Sequence, residues 1–284
     1  MNVTLRGSRK YNRSYYGNRG TQMNAALREI LKYPLIALEF LTILRISRPR
    51  IYENSLFARS ISCYPIIGLG IGAFLWISAS LLERIVEPEI NSVILLIILT
   101  VLSGGLHLDG LADTADGLAS QGSKADKLGI MSVGNTGPAG VVALVLTLLL
   151  QWVVLAEILQ LGGSLSRSAL IVTPMLGRWS VIPMVGLFPP ARLSGLGNSI
   201  QQSLITIPMI IGTIVAIIAS TFMLGLTGIL LIIVAAATSV TVAWFASKQL
   251  EGITGDILGA GIELSQTTVL VAFLIASGTA FLLA

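Results

Sequence analysis

Three aspartates, Asp109, Asp113 and Asp116, fall in the run His107-Leu108-Asp109-Gly110-Leu111-Ala112-Asp113-Thr114-Ala115-Asp116-Gly117. If this segment is helical, spacings of four and three residues put all three carboxylates on one face. Carboxylates so placed repel one another unless a cation sits among them. A hard divalent ion such as Mg²⁺ takes oxygen ligands and also bridges to substrate phosphates. The plainer explanation of an acidic face is a solvated helix end. Here the acids are separated by Leu and Ala and follow directly on an apolar stretch, where a carboxylate is costly unless it is used. His107 is the only histidine of the chain. Its place two residues before Asp109 makes it a candidate participant in the same site.

A second set follows near the C-terminal end, in Thr254-Gly255-Asp256-Ile257-Leu258-Gly259-Ala260-Gly261-Ile262-Glu263. Asp256 and Glu263 are seven apart and share a helix face, and the small residues between them permit close helix packing. Thr254 is placed to cap such a helix. A third set is cationic. Arg178, in Gly177-Arg178-Trp179, lies inside an apolar run, where an arginine ordinarily faces the protein interior and pairs with an acid or an anionic ligand. The expected partners are Asp256, Glu263 or a bound phosphate. Arg192 leads a loop containing Gly195 and Gly197, and Arg59 precedes the first long apolar run. Acids for a metal together with arginines for anions are the equipment of phosphoryl transfer, in which catalysis is mostly positioning and charge stabilisation.

The elements that must hold these residues are membrane helices. Of 284 residues, 54% are hydrophobic and 11% are charged, against about 25% charged in a soluble domain. The expected fold is an all-α, polytopic helical bundle with about seven transmembrane helices. The spans fall near 62–82, 91–106, 138–160, 168–188, 204–223, 226–246 and 266–284, each close to the ~20 residues that cross the hydrocarbon core. Residues 25–46 are apolar but carry Arg28, Glu29, Lys32, Pro34, Glu39 and Arg45, which suits an interfacial or partly inserted helix. Residues 1–22 form a basic tail, expected to be disordered, and residues 23–284 form one transmembrane catalytic domain. A single cysteine, Cys63, leaves no internal disulfide framework and reads as a packing residue.

Charge sets the expected orientation. With the N-terminus inside, fifteen of the 18 Lys and Arg fall in inner segments: eleven in residues 1–59, then Lys124, Lys127, Arg192 and Lys248. Arg84 and Arg167 lie outside, and Arg178 lies within a span. This bias predicts a multi-pass protein of the cell (inner) membrane, with both acidic motifs on the cytoplasmic side. Nucleic acid is not an expected partner, because the basic residues are dispersed and no aromatic stacking module accompanies them. The sequence leaves a homo-oligomer open.

At these residues the chain resembles the adenosylcobinamide-GDP ribazoletransferase, or cobalamin synthase, family. The resemblance rests on GGLHLDGLADTADG at 104–117 and TGDILGAGIEL at 254–264. It is joined by Arg59, Pro65 and Gly68 in ARSISCYPIIGLGIG, by Gly177-Arg178, and by Gly195-Leu196-Gly197. It covers about residues 35–284. It implies a Mg²⁺-dependent membrane enzyme that joins adenosylcobinamide-GDP to α-ribazole, or to its 5′-phosphate, and releases GMP. It also implies roles. Metal ligands would be Asp109, Asp113, Asp116 and Asp256; catalytic residues His107, the three aspartates and Arg178; substrate-binding residues Arg59, Arg192, Gly195, Gly197, Thr254 and Glu263.

Two rivals are weaker. CDP-alcohol phosphotransferases also carry Asp-Gly-x-x-Ala on membrane helices, but their pattern places Arg after that Ala, where this chain has Asp113. A cation transporter would favour acids near the bilayer midplane, whereas these cluster at one face.

Overall fold

The computed structural model describes residues 31–46, 54–192 and 206–283. The tail at 1–22 and the glycine loop carrying Gly195 and Gly197 lie outside the described residues.

The helices follow from apolar runs punctuated by proline and glycine. α1 (Tyr33–Leu41) has Pro34 in its first turn and buries Ile36, Ala37 and Leu41. It is the described part of the helix expected over 25–46. α2 (Asn54–Arg59) leads through a 3₁₀ turn, Ser60–Cys63, into α3 (Tyr64–Leu82). α4 (Pro88–Ser103) and α5 (Leu106–Ala119) follow, then the short α6 (Lys124–Met131). α7 (Pro138–Leu161), α8 (Gly163–Trp179) and α9 (Val181–Leu187) complete the first two thirds of the bundle. α10 (Thr206–Leu224), α11 (Leu226–Leu250) and α12 (Gly255–Leu283) close it. Among the described residues, six spans are long and apolar enough to cross a membrane, and the bent pair α4–α5 makes a seventh when it is counted as one.

Two features differ from the expected spans. The second span does not run straight on into the aspartate motif. Gly104 and Gly105 adopt φ of 61° and 71°, a left-handed conformation that L side chains resist. The chain therefore turns by 88° between α4 and α5. α4 by itself has 16 residues, about 24 Å of rise, so it falls short of a ~30 Å hydrocarbon core. The second difference is at the C-terminal motif. Residues 254–263 were expected to be helical but to lie on the inner side, ahead of a separate span at 266–284. From Gly255 on they instead form the first turns of α12, continuous with that span. Low hydropathy there reflects polar side chains that find partners inside the bundle rather than a break in the helix.

Close helix packing sets the register. α3 lies along α8, where a Cβ on Gly68 would come within 2.5 Å of the Met175 Cα, and one on Gly72 within 2.6 Å of the Ile171 Cα. Only a small-xxx-small face lets these backbones approach so near. α5 crosses α12 in the same way. A Cβ on Gly110 would stand 2.7 Å from the Asp256 carbonyl oxygen, and one on Gly259 would stand 3.3 Å from the His107 Cα. The two acidic motifs, about 150 positions apart in sequence, are thereby pressed together by their own glycines. Cys63 is buried and unpaired, as a packing residue would be.

Candidate active site

α5 is helical through the whole motif, so Asp109, Asp113 and Asp116 do share one face. Depth varies along it: Asp109 is exposed, Asp116 half-buried, and Asp113 only 6% exposed. Asp109, Asp256 and Asp116 all lie within electrostatic range of the Asp113 carboxylate. Asp113 itself receives no hydrogen bond among the described residues. Its oxygens are not among the fully enclosed polar atoms, so they open toward water or a ligand, and its three acidic neighbours suit a site completed by a cation. No three acidic or imidazole groups among the described residues converge closely enough to cage an ion. The donor set is nonetheless all hard oxygen. It matches Mg²⁺, which characteristically takes one or two carboxylates and fills its remaining positions with water and substrate phosphate.

Asp116 has a second task. Its carboxylate accepts the backbone N–H of Gly137 at 2.6 Å and of Gly140 at 2.9 Å. These are first-turn donors of α7, which otherwise have no partner within the helix. The negative charge also faces the positive end of the α7 dipole. Glycine is required at both positions, because a Cβ on either would run into the Asp116 carboxylate. Asp116 therefore fixes α7 against α5, with lone pairs remaining for a cation. Asp116→Asn should destabilise the protein by about 1–3 kcal/mol, visible as a lower midpoint of thermal unfolding. An unchanged midpoint would contradict this role.

α12 begins at Gly255, and Thr254 caps it. The Thr254 hydroxyl accepts the Ile257 N–H at 3.4 Å and donates to the Asp256 carboxylate at 3.2 Å. This orients Asp256 toward the α5 carboxylates. Arg192 lies within electrostatic range of Asp256 and donates to the Leu128 carbonyl at 2.6 Å. A short parallel pairing holds it there: Ala191 N–H reaches the Ile253 carbonyl at 2.9 Å, and Ile253 N–H reaches that of Pro189 at 2.8 Å. On the rim, Lys124 and Glu251 form a 2.7 Å ion pair that ties α6 to the end of α11. The Lys124 hydrogen bond holds the Glu251 carboxyl below its ordinary range. Arg59 ends α2, half-buried, five residues before Tyr64.

Between α1, α3, α5 and α12 lies a cavity of about 110 Å³, lined by Phe40, Tyr64, His107, Asp109, Val181 and Asp256 among others. It has room for a phosphate-sized group, with an apolar wall on one side and carboxylates on the other. His107 is 2% exposed, and both its ring nitrogens lack a hydrogen-bond partner within the protein.

Arg178 has no exposed surface, so it does not snorkel to headgroups. Its direct partner was not foreseen from the sequence. Nη1 donates to Gln266 Oε1 at 2.7 Å, while Glu263 lies within electrostatic range without an ion-pair contact. Nε and Nη2 have no partner among the described residues. Glu263 accepts instead from Gln151 Nε2 at 3.2 Å, and Gln151 also donates to Thr267 Oγ1 at 2.8 Å. Gln151, Gln266 and Thr267 were missed by sequence reasoning. The available signal was an amide at 151 within the otherwise apolar α7, and a polar run at 265–268 within a helix.

The family model described as cobalamin-5-phosphate synthase matches residues 33–274. An adenosylcobinamide-GDP ribazoletransferase of Pseudomonas paraeruginosa is 38% identical over 253 residues, covering 87% of this chain and 99% of that protein. Another, from Stutzerimonas stutzeri, is 37% identical over 84% of this chain and 95% of its own length. One from the more distant Desulfitobacterium hafniense is 34% identical over 81% of this chain and 92% of that protein. No solved structure matches. With a family model covering most of the sequence and relatives matched over nearly their full length, the chain belongs to the cobalamin-5-phosphate synthase family.

Proposed function

We propose that the protein is an adenosylcobinamide-GDP ribazoletransferase, catalysing the last assembly step of the cobalamin nucleotide loop. A ribose hydroxyl of α-ribazole, or of its 5′-phosphate, attacks the phosphorus attached to cobinamide. The new bond is ribose O–P. The bond that breaks is the one from that phosphorus to the bridging oxygen, which leaves with GMP. The observation that carries the reading is the buried, unpartnered Asp113 among Asp109, Asp116 and Asp256, beside a phosphate-sized cavity, in a chain whose relatives bear this name.

Of Asp109, Asp113, Asp116 and Asp256, one or two would ligate Mg²⁺ directly and the others would act through its waters, with Asp116 also locking α7. Bound there, the ion neutralises charge on the pyrophosphate. Arg178, enclosed behind the cavity wall with Nε and Nη2 unpartnered among the described residues, would reach phosphoryl oxygens once substrate enters, and Gln266 holds the guanidinium in place. His107, on the cavity wall, is placed to accept the proton of the attacking hydroxyl. Arg192, Arg59 and the loop at Gly195 and Gly197 bind the outer parts of a substrate far larger than the cavity. Thr254 and Glu263 act through Asp256 and Arg178. The charge bias puts this end of the bundle at the cytoplasmic face of the cell membrane.

The test is to reconstitute the purified protein, supply adenosylcobinamide-GDP, α-ribazole and Mg²⁺, and measure GMP. Release of GMP in proportion to the corrinoid product is expected. No GMP from this pair, with CMP formed from a CDP-lipid instead, would replace the reading with a CDP-alcohol phosphotransferase.

A further inference from the structure

The far end of the bundle holds a second built pocket. α3 connects the two. Tyr64 at its start lines the acidic cavity, while Trp76, Ala79 and Ser80 near its end line the other. Sixteen residues of helix separate Tyr64 from Ser80, or about 24 Å of rise. The second pocket holds about 360 Å³.

Its chemistry is specific. Asn91 lines it and is only 2% exposed. The Asn91 Nδ2 donates to the Ala79 carbonyl at 3.1 Å, which fixes the amide. Its Oδ1 is left without a hydrogen-bond partner. A buried acceptor in that condition calls for a donor from outside the protein. Around the mouth stand Arg84, Arg167, Glu83 and Glu87, all exposed. None of the four forms an ion pair among the described residues. The Arg167 guanidinium lies over the Trp76 ring, 4.8 Å from its centroid, which holds the charge at the pocket. Leu81 and Ile85 beside it are 68% and 77% exposed, an apolar flank of the kind that faces lipid.

A ligand that satisfies these groups must carry an anion for two arginines and a cationic donor for two glutamates and an amide oxygen. We propose that this pocket binds the headgroup of an aminophospholipid, of the phosphatidylethanolamine type. The phosphate diester meets Arg84 and Arg167. The ammonium, with three N–H donors, meets Glu83, Glu87 and Asn91 Oδ1. The acyl chains run along Leu81 and Ile85. A choline headgroup has no N–H for Asn91, and a glycerol headgroup sets no cation before the glutamates. Bound lipid joins the α3–α4 turn to the start of α8 at the membrane boundary. This site stands whether or not the transferase reading holds.

The experiment is lipid binding to the delipidated, detergent-purified protein by native mass spectrometry. The ligands compared are phosphatidylethanolamine, phosphatidylcholine, phosphatidylglycerol and soluble glycerophosphoethanolamine. Retention of phosphatidylethanolamine about tenfold above the other two lipids is expected. That preference should vanish in the double variant Arg84→Gln/Arg167→Gln, in Glu83→Gln/Glu87→Gln, and in Asn91→Leu. The first two pairs are exposed, so they report even if Asn91→Leu fails to fold. Equal retention of the three lipids, or an undiminished preference in both rim variants, would overturn the proposal. Equally tight binding of the soluble headgroup would overturn lipid as the occupant.

Discussion

Asp113→Asn should lower turnover of adenosylcobinamide-GDP by a hundredfold or more, on the order of what one charge-stabilising group contributes in a preorganised site, while raising the stability of the metal-free protein. The two effects share one cause. Asp113 is buried, has no donor among the described residues, and faces Asp109, Asp116 and Asp256. Asparagine keeps its volume and removes one charge from a mutually repelling group. The folded protein without ion is relieved, and the cation loses a ligand. Thermal unfolding with and without Mg²⁺ separates these contributions. The wild type should be stabilised by added Mg²⁺, and the variant should begin higher and gain less. Asp116→Asn behaves oppositely in the metal-free state, because its carboxylate is already occupied by two backbone donors of α7. If Asp113→Asn lost stability without Mg²⁺, or kept near-normal turnover, Asp113 would be a structural residue rather than part of a cation site.

The second large effect is expected at Arg178. Arg178→Lys should reduce turnover by roughly a hundredfold or more, with a much smaller change in the apparent affinity for adenosylcobinamide-GDP. The guanidinium has no exposed surface, is held by Gln266 through Nη1, and presents Nε and Nη2 without protein partners. Lysine preserves the charge but not the planar fork that binds two phosphoryl oxygens together. Charge spreads over those oxygens in the transition state, so the loss falls on turnover more than on binding. Gln266→Leu is the companion variant. It leaves the fork intact but unanchored, and should lower turnover less than Arg178→Lys while leaving the KM close to its original value. Unchanged kinetics in Arg178→Lys would make the arginine a packing element that needs only its positive charge.

Much of the bundle and its site was legible from residue type and spacing. A chain with so few charges shows its acids plainly, so the 107–117 and 254–263 motifs stood out, and so did Arg178 inside an apolar run. The spans were legible from apolar length. What remained hidden depends on angles and on distant partners. Two glycines announce a turn but not that it amounts to 88°. The contact from Asp116 to Gly137 and Gly140 requires the N-terminus of α7 to be aimed at α5, which no local pattern states. The helical motif at 254–263 was read apart from the span at 266–284, because hydropathy separates polar turns from apolar ones even when they form one helix. Gln151 and Gln266 carry no charge, so they were passed over as minor blemishes in apolar helices. They are the groups that hold Glu263 and Arg178. The expected role of Gly195 and Gly197 in substrate binding falls on residues outside the described ones.

The central claim is that the acidic cluster serves a transfer at the cobinamide-linked phosphorus with GMP as leaving group. It is tested most directly by following that phosphorus. Adenosylcobinamide-GDP labelled at the phosphorus nearest cobinamide should be incubated with α-ribazole, Mg²⁺ and the reconstituted protein. The label should appear wholly in the cobalamin product, with unlabelled GMP released in equal amount, and it should stay in the substrate when Asp113→Asn replaces the wild type. Label recovered in a released nucleotide, or equal transfer by the Asp113→Asn protein, would contradict the account.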